Sequence, residues 1–371
     1  MSGGAAAATA AIQKALKGMP AGLGKAVGGH KGMPGFVTDL LARLGVPLAQ
    51  DRDQHLWDPE QKVPPVPETH PEEKSGGQFL TKSFTNHAGT RNYKLYIPSS
   101  YQGEAVPVMV MLHGCTQNPD DFARGTRMNV IAEERKCLVV YPAQSQSANS
   151  SKCWNWFKAV DQQRDQGEPS LIAGITNQVI SDYKLDRERV YVAGLSSGGA
   201  MAIIMGRTYP DLYAAVGVHS GLPYGSAQDL PTAFAAMRGA KPAVMGKPRT
   251  TNAESRPRSI PIIVFHGDKD KTVHSSNADY LIRQNVFPEQ AYTDRMNHNI
   301  TVQVGKVPNG HEYTRTLHQD ENGRRIAEQW VIHGAGHAWA GGSRKGSYTD
   351  AKGPDASKEM MRFFYKQSHP L

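Results

Sequence analysis

Val190–Met201 reads VYVAGLSSGGAM, a short apolar run that leads directly into the pattern G-x-S-x-G centred on Ser196. A stretch with helical spacing, Gly199–Tyr209, follows it. A tight turn from strand to helix strains the backbone of its central serine, and glycines at the flanking positions let the neighbouring backbone pass without Cβ clashes. We therefore predict that Ser196 projects above a sheet edge as a nucleophile. Ser197 fits the glycine spacing less well, and a glycine-rich turn without chemistry is the alternative.

Other apolar runs too short for helices occur along the chain, and stretches of helical spacing lie between them. This alternation is what a parallel sheet with crossover helices requires. The runs are Val106–Leu112, Cys137–Tyr141, Val190–Ala193, Ala214–Val218 and Ile260–Phe265, and the helical stretches include Arg127–Arg135, Ser170–Tyr183 and Gly199–Tyr209. Together with the serine turn, they predict the α/β-hydrolase fold, with a mostly parallel central sheet flanked by helices.

The chain divides by composition into a leader and a folded domain. Residues 1–75 are predicted to be a partly helical leader that contains the proline-rich run Val63–Pro67. Residues 76–371 are predicted to form the catalytic domain, which begins with a β-hairpin. Within it, residues 225–259 form a long insertion that either caps the site or is a surface loop.

A serine nucleophile requires a histidine to take its proton and a carboxylate to orient that histidine. In the α/β-hydrolase fold the acid follows the serine along the chain and the base follows the acid. Ile260–Val273 reads IPIIVFHGDKDKTV, a strand that ends in a polar loop with two carboxylates. We choose Asp270 as the acid because it lies far enough past the strand to point back across the sheet edge. Asp268 is the alternative, since the sequence separates the two only weakly.

The predicted base lies in Gln329–Gly342, which reads QWVIHGAGHAWAGG. His337 lies among glycines that allow it to approach the serine, whereas His333 falls inside the predicted strand and is expected to be packed or structural. His113 and His266 each end a strand before a glycine. We expect these two histidines to brace loops beneath the site.

Two backbone N–H groups are predicted to stabilise the oxyanion. The amide of Ser197 lies at the start of the helix that follows the nucleophile, and the amide of Cys115 follows the strand Val106–Leu112. A thiol nucleophile at Cys115 is the rival interpretation, but a serine mechanism does not need it.

The run Cys153–Phe157, CWNWF, is unusually aromatic for a loop. Large rings near a cleft can hold apolar or sugar-like substrates. We predict that Trp154 and Asn155 contact the substrate and that Trp339, two residues after the base, forms the facing wall. The other two rings of the run are explained equally well by packing under long loops.

Composition excludes several function classes. The 371 residues carry a formal net charge of +8, but no basic cluster interleaved with aromatic residues is visible, which argues against nucleic-acid binding. No apolar run is long enough to cross a membrane, and no secretory signal is evident, so the sequence alone indicates a cytoplasmic protein. Three cysteines do not make a disulfide scaffold. The proposed chemistry needs neither a metal nor an organic cofactor, and the oligomeric state stays open.

Four motifs together resemble the polyhydroxybutyrate (PHB) depolymerase family of esterases, and the resemblance extends over roughly Phe79–Tyr365. The motifs are LHGCTQ at 112–117, CWNWF at 153–157, GLSSGG at 194–199 and GHAW at 336–339. The resemblance implies a serine esterase of the α/β-hydrolase fold with the triad Ser196, Asp270 and His337. The implied substrates are polyhydroxyalkanoates or their oligomers and short-chain esters. Because relatives include feruloyl and acetylxylan esterases, plant cell-wall esters are the alternative.

The same resemblance bears on disulfide pairing, compartment and catalytic competence. It implies a disulfide between Cys115 and Cys153, which would tie the aromatic loop to the oxyanion loop and leave Cys137 free. Many relatives are secreted, so the resemblance implies an extracellular location as the alternative to a cytoplasmic one. A protein that binds esters without hydrolysing them is disfavoured, because all three triad candidates are present.

Overall fold

The computed structural model describes residues 76–241, 260–286 and 299–369. The predicted leader, residues 1–75, lies outside this range. So does the second half of the predicted insertion, while residues 225–241 are described and contain one short helix. The division into leader and catalytic domain, and the role of the insertion as a cap, therefore stay predictions.

A large mixed sheet organises the described part of the chain. Its spatial order is β1-β2-β4-β3-β5-β6-β7-β10-β9-β8, with six parallel strands from β4 to β10 and antiparallel pairs at both edges. The strands are β1 (Gln78–Asn86), β2 (Gly89–Ile97), β3 (Val108–Leu112), β4 (Leu138–Pro142), β5 (Val190–Leu195), β6 (Ala215–His219), β7 (Ile262–Gly267), β8 (Asn299–Lys306), β9 (Glu312–Gln319) and β10 (Arg325–Ile332). This is the predicted α/β architecture.

Helices cover both faces of the sheet, which is why its central strands are continuous apolar runs. Side chains of α3, α4, α5 and α6 pack with one face, and those of α1, α2 and α7 pack with the other. Along β5, Val190 and Val192 face the first layer, and Tyr191 and Ala193 face the second. The helices are α1 (Pro119–Thr126), α2 (Met128–Arg135), α3 (Gly167–Tyr183), α4 (Ser197–Thr208), α5 (Leu230–Met237), α6 (Ser276–Val286) and α7 (Ala356–Phe364).

Two parts of the fold were not predicted from the sequence. Helix α1 is an additional helix that immediately precedes α2, and it begins at an Asn118 cap that accepts a hydrogen bond from Asp121 N. Strands β8 and β9 form an antiparallel extension whose outer strand is almost wholly exposed. The sequences of β8 and β9 lack the continuous apolar run from which the central strands were predicted. No helix in the described ranges has the length and apolarity needed to cross a bilayer.

A buried carboxylate fixes β10, the strand that precedes the predicted base. Glu328 is fully buried and lies 3.0 Å from Arg315 on β9, 2.8 Å from Arg325 on β10 and 2.6 Å from Arg362 on α7. Charged groups are buried at low cost only when they are paired and hydrogen-bonded, as here. The network locks β10 between β9 and α7.

Candidate active site

Ser196 occupies the turn between β5 and α4 in a conformation that L-residues rarely adopt. Its φ is +57° and its ψ is −119°. Its backbone N–H donates to His219 O at 2.9 Å, at the end of β6. Strained backbone of this kind persists only where surrounding contacts determine it, and it is concentrated at functional sites.

The glycines of the motif are required by close backbone packing. A Cβ at Gly198 would lie 2.1 Å from Leu112 O, and one at Gly194 would lie 2.3 Å from the Gly198 backbone. The end of β3 therefore passes directly against the serine turn. Ser196 is half-buried, whereas Ser197 is only 3% exposed. The geometry favours Ser196 over Ser197 as the reacting hydroxyl.

Asp270 and His337 form a hydrogen-bonded pair between the loops after β7 and β10. His337 Nδ1 lies 2.7 Å from Asp270 Oδ2. The other carboxylate oxygen accepts the backbone N–H groups of Thr272 and Val273 at 2.8 and 2.9 Å, and His266 Nε2 lies 3.3 Å from Oδ2. Burial raises the pKa of Asp270, but the hydrogen bonds from His266 and His337 outweigh it and hold this pKa far below the usual range. Asp270 is therefore ionised, and within the described residues His337 Nε2 forms no hydrogen bond, so it can accept a proton.

The alternative acid, Asp268, has a different partner. Its carboxylate lies 3.1 Å from His333 Nδ1 and accepts the Gly334 N–H at 2.8 Å. Asp268 thus fixes the start of the loop that carries His337. His266 also braces a loop, because its Nε2 lies 2.8 Å from Val273 O.

His219 connects the serine turn to the loop of the base, and the sequence analysis did not single it out. Its carbonyl oxygen accepts Ser196 N–H, and its ring Nε2 accepts the Ala340 N–H at 3.0 Å. The ring is fully buried and stacks against Trp339 and Phe265. Burial lowers its pKa to about 3, helped by repulsion from His266 and His337, so the ring stays neutral and can accept this bond. Its position at the end of the strand after the nucleophile was the available signal.

The loop after β3 lies beside the serine turn. Cys115 forms a disulfide with Cys153, and Cys115 Sγ lies 3.4 Å from Ser197 Oγ. Within the described residues, the backbone N–H groups of Cys115 and Ser197 donate no hydrogen bond to the protein, so both are available to an oxyanion. His113 braces this loop: its Nδ1 donates to Gly114 O at 2.8 Å, and its Nε2 accepts the Gln144 N–H at 3.1 Å. Burial lowers the pKa of His113 to about 4, which keeps the ring neutral.

The structure contradicts the prediction that Trp154, Asn155 and Trp339 contact the substrate, because all three are buried. Trp154, Asn155 and Trp339 are 0%, 3% and 1% exposed, so their side chains offer no surface to a substrate. Trp154 Nε1 donates to His113 O at 3.1 Å, and Trp339 Nε1 donates to Ser357 Oγ at 3.0 Å. An aromatic sequence run predicts large apolar area but not which side of the loop it covers. Here the rings support the oxyanion loop and the base loop from beneath.

Asn155 belongs to a buried polar cluster around Glu168. One carboxylate oxygen of Glu168 accepts the Asn155 backbone N–H at 2.8 Å, and the other accepts its side-chain amide at 2.7 Å and a bond from Gln144 Nε2. Burial, together with repulsion from Asp161, raises the pKa of Glu168 to about 7. Because Gln144 also binds Cys153 O and His113, this cluster links the aromatic loop to the oxyanion loop.

The serine turn and the loop of His337 are linked through His219, which accepts the Ser196 N–H with its carbonyl oxygen and the Ala340 N–H with its ring. Among the described residues, the Ser196 hydroxyl and His337 form no direct hydrogen bond, and such bonds are often long until a substrate is present. No group of three or more His, Cys, Asp or Glu is arranged to hold a metal ion in the part of the chain that the structure describes. The arrangement offers a strained hydroxyl, a histidine oriented by a carboxylate and two free amides.

Comparisons with known proteins show which families this chain is similar to. The model of the family described as esterase PHB depolymerase matches residues 91–296. Poly(3-hydroxyalkanoate) depolymerase C of Paucimonas lemoignei is 31% identical over 261 residues, which cover 68% of this chain and 59% of the relative. Poly(3-hydroxybutyrate) depolymerase of Ralstonia pickettii is 28% identical over 289 residues, which cover 73% of this chain and 56% of the relative. The chain thus spans somewhat more than half the length of these relatives.

The fold is also shared with a solved structure. The acetyl xylan esterase from Aspergillus awamori superposes with a TM-score of 0.57 and 21% identity, over 78% of this chain and 99% of that one. An identity this low is similarity of fold, and it agrees with the mixed sheet and the flanking helices described above.

Proposed function

The chain belongs to the esterase PHB depolymerase family, and on that premise we propose that it hydrolyses carboxylic esters with Ser196 as nucleophile, His337 as general base and Asp270 as the carboxylate that orients the histidine. The observation that carries this proposal is the 2.7 Å hydrogen bond between His337 Nδ1 and Asp270 Oδ2. It lies in the loops that follow β7 and β10, as the order of serine, acid and base in this fold requires.

The proposed reaction is acyl transfer to water. Ser196 Oγ attacks the ester carbonyl while His337 Nε2 takes its proton, and ionised Asp270 stabilises the imidazolium that forms. The amides of Ser197 and Cys115 donate to the oxyanion of the tetrahedral intermediate. His337 then protonates the leaving alcohol, and water hydrolyses the acyl-enzyme by the same steps.

We infer that the substrates are polyhydroxyalkanoate or its oligomers and short-chain esters, since both curated relatives described above are named as depolymerases of such polymers. Acetylxylan and feruloyl esters are the second substrate class. Incubation of the purified chain with poly(3-hydroxybutyrate), its oligomers and acetylated xylan, followed by chromatography of the products, distinguishes the two classes.

The catalytic assignment is tested with p-nitrophenyl butyrate. Ser196→Ala should abolish hydrolysis while the circular dichroism spectrum stays unchanged. Asp270→Asn should lower kcat by about 10³- to 10⁴-fold, because the amide no longer holds the required histidine tautomer. Asp268→Asn is the matched control, and it should lower kcat far less because Asp268 binds His333 rather than His337. Full activity of Ser196→Ala, or equal losses in the two aspartate variants, would overturn the assignment.

A further inference from the structure

Tyr348 is a large aromatic residue that stays 42% exposed close to the proposed catalytic loops. Its φ is +52°, a conformation that bulky residues rarely adopt. Exposed Thr116 also has a positive φ, +66°, and the two hydroxyl oxygens lie 3.3 Å apart. Two strained, non-glycine residues thus meet at the surface through their side chains.

The position of Tyr348 is fixed by the two loops that matter for catalysis. Its carbonyl oxygen accepts the N–H of Trp339 at 2.7 Å, two residues after the proposed base. Its hydroxyl meets Thr116, the residue after Cys115, and Cys115 Sγ lies 3.4 Å from Ser197 Oγ. Tyr348 therefore contacts the loop of the base through its backbone and the loop of the oxyanion donor through its hydroxyl.

Neighbouring contacts hold the Tyr348 backbone in its strained conformation. Gln117 Nε2 donates to Ser347 O at 3.1 Å and to Asp121 Oδ2 at 2.9 Å. Ser347 N donates to Asp121 Oδ1 at 2.9 Å. The same Gln117 side chain accepts the Gly114 N–H at 2.9 Å, so it connects the Tyr348 loop to the oxyanion loop. Rigid placement of an exposed ring lowers the entropy that binding must overcome.

The hydrogen bonds identify which hydroxyl can turn to a ligand. Thr116 has one hydroxyl hydrogen, and it donates to Cys115 O at 2.6 Å. Tyr348 must then be the donor in the 3.3 Å contact, which is longer than a normal O–H···O bond. A better acceptor beside the ring can replace this long bond.

We propose that Tyr348 forms a binding subsite for a further hydroxyacyl unit of an ester chain, and that its contact with Thr116 holds the ring in place until the hydroxyl turns to the ligand. This inference rests on the esterase function proposed above. An aliphatic polyester repeats a short apolar segment and an ester carbonyl. The ring face of Tyr348 covers the apolar segment, and its hydroxyl donates to the carbonyl oxygen. The buried Trp154 and Trp339 cannot take this role.

The test compares kcat/KM for the methyl ester of a linear 3-hydroxybutyrate trimer with kcat/KM for p-nitrophenyl acetate, which has no second unit. Tyr348→Phe should lower the trimer-to-acetate ratio about three- to tenfold through the lost hydrogen bond. Tyr348→Gly should lower it about tenfold or more because the ring is also lost. Glycine relieves the strain of a positive φ, which offsets the greater freedom it gives the unfolded chain, so the melting temperature of Tyr348→Gly should change little.

Val302→Ala is the control, since Val302 is 60% exposed on β8 at the far edge of the sheet, and its ratio should equal that of the wild type. An unchanged ratio in Tyr348→Gly would overturn the subsite, as would equal losses on both substrates. Selective loss on acetylated xylan with the trimer unaffected would also overturn it, by assigning the ring to another ester class. Hydrolysis of no ester by the wild-type chain would overturn the esterase function itself, and the subsite with it.

Discussion

The disulfide between Cys115 and Cys153 should stabilise the fold mainly through the unfolded state. The two cysteines are 38 positions apart, and closing a loop of that length removes about 4 kcal/mol of chain entropy from the unfolded ensemble. The native loops have other contacts that remain without the bridge, namely Thr116 N to Ser151 O at 2.7 Å and Trp154 Nε1 to His113 O at 3.1 Å. The double variant Cys115→Ala/Cys153→Ala should therefore lose up to about 4 kcal/mol of unfolding free energy while it keeps a native fold.

Urea denaturation of the wild type and the double variant measures this difference. Thiol titration is the control. The native chain should show no reactive thiol, because Cys137 is buried and its burial raises its pKa to about 12. The denatured chain should show one thiol, and the denatured and reduced chain should show three. Equal unfolding free energies for the two proteins, or three thiols before reduction, would refute this reasoning.

Three further predictions concern His219, Gly198 and Glu168. His219→Phe leaves the buried Ala340 N–H without its acceptor, so urea denaturation should show a loss of about 1–3 kcal/mol, and kinetics should show a fall in kcat larger than the change in KM. Gly198→Ala places a Cβ 2.1 Å from Leu112 O and should cost at least about 1–3 kcal/mol, measured by thermal unfolding. Its control is Gly336→Ala, where a Cβ meets nothing within 4 Å and stability should not change. The pKa of Glu168 is raised from 4.5 to about 7, so the folded state holds a proton that the unfolded chain releases. The stability contributed by this proton falls as pH rises from about 4.5 to about 7, and Glu168→Gln should flatten the pH dependence of the unfolding free energy over that interval.

The central strands could be predicted because they are buried on both faces. Val190–Leu195 and Ile262–Gly267 are fully buried, and such strands read as apolar runs whatever their partners are. Strand β8, Asn299–Lys306, is mostly exposed, so its register depends on pairing with β9 rather than on its own pattern. Sequence periodicity carries little information about such an edge.

The site was predictable where chemistry and local geometry coincide. The G-x-S-x-G turn specifies a strained serine locally, and a Cβ at either flanking glycine would clash with backbone. The sequence hardly distinguishes Asp268 from Asp270. They differ in the histidine that each one binds after β10, which is His333 for Asp268 and His337 for Asp270. The sequence placed Trp154 in the substrate wall, although its ring is buried, and it gave no sign of the role of His219. Both depend on burial and on hydrogen bonds between loops, which residues far away in the chain determine.

Covalent labelling tests the central claim most directly. The chain should be treated with a fluorophosphonate, digested and analysed by mass spectrometry, with residual hydrolysis of p-nitrophenyl butyrate measured in parallel. A single adduct on Ser196, in proportion to the activity lost, is the expected result, because Ser196 is the strained and partly exposed serine of the strand-to-helix turn, whereas Ser197 is buried. An adduct on Ser197 or another residue, or full activity with Ser196 modified, would contradict it.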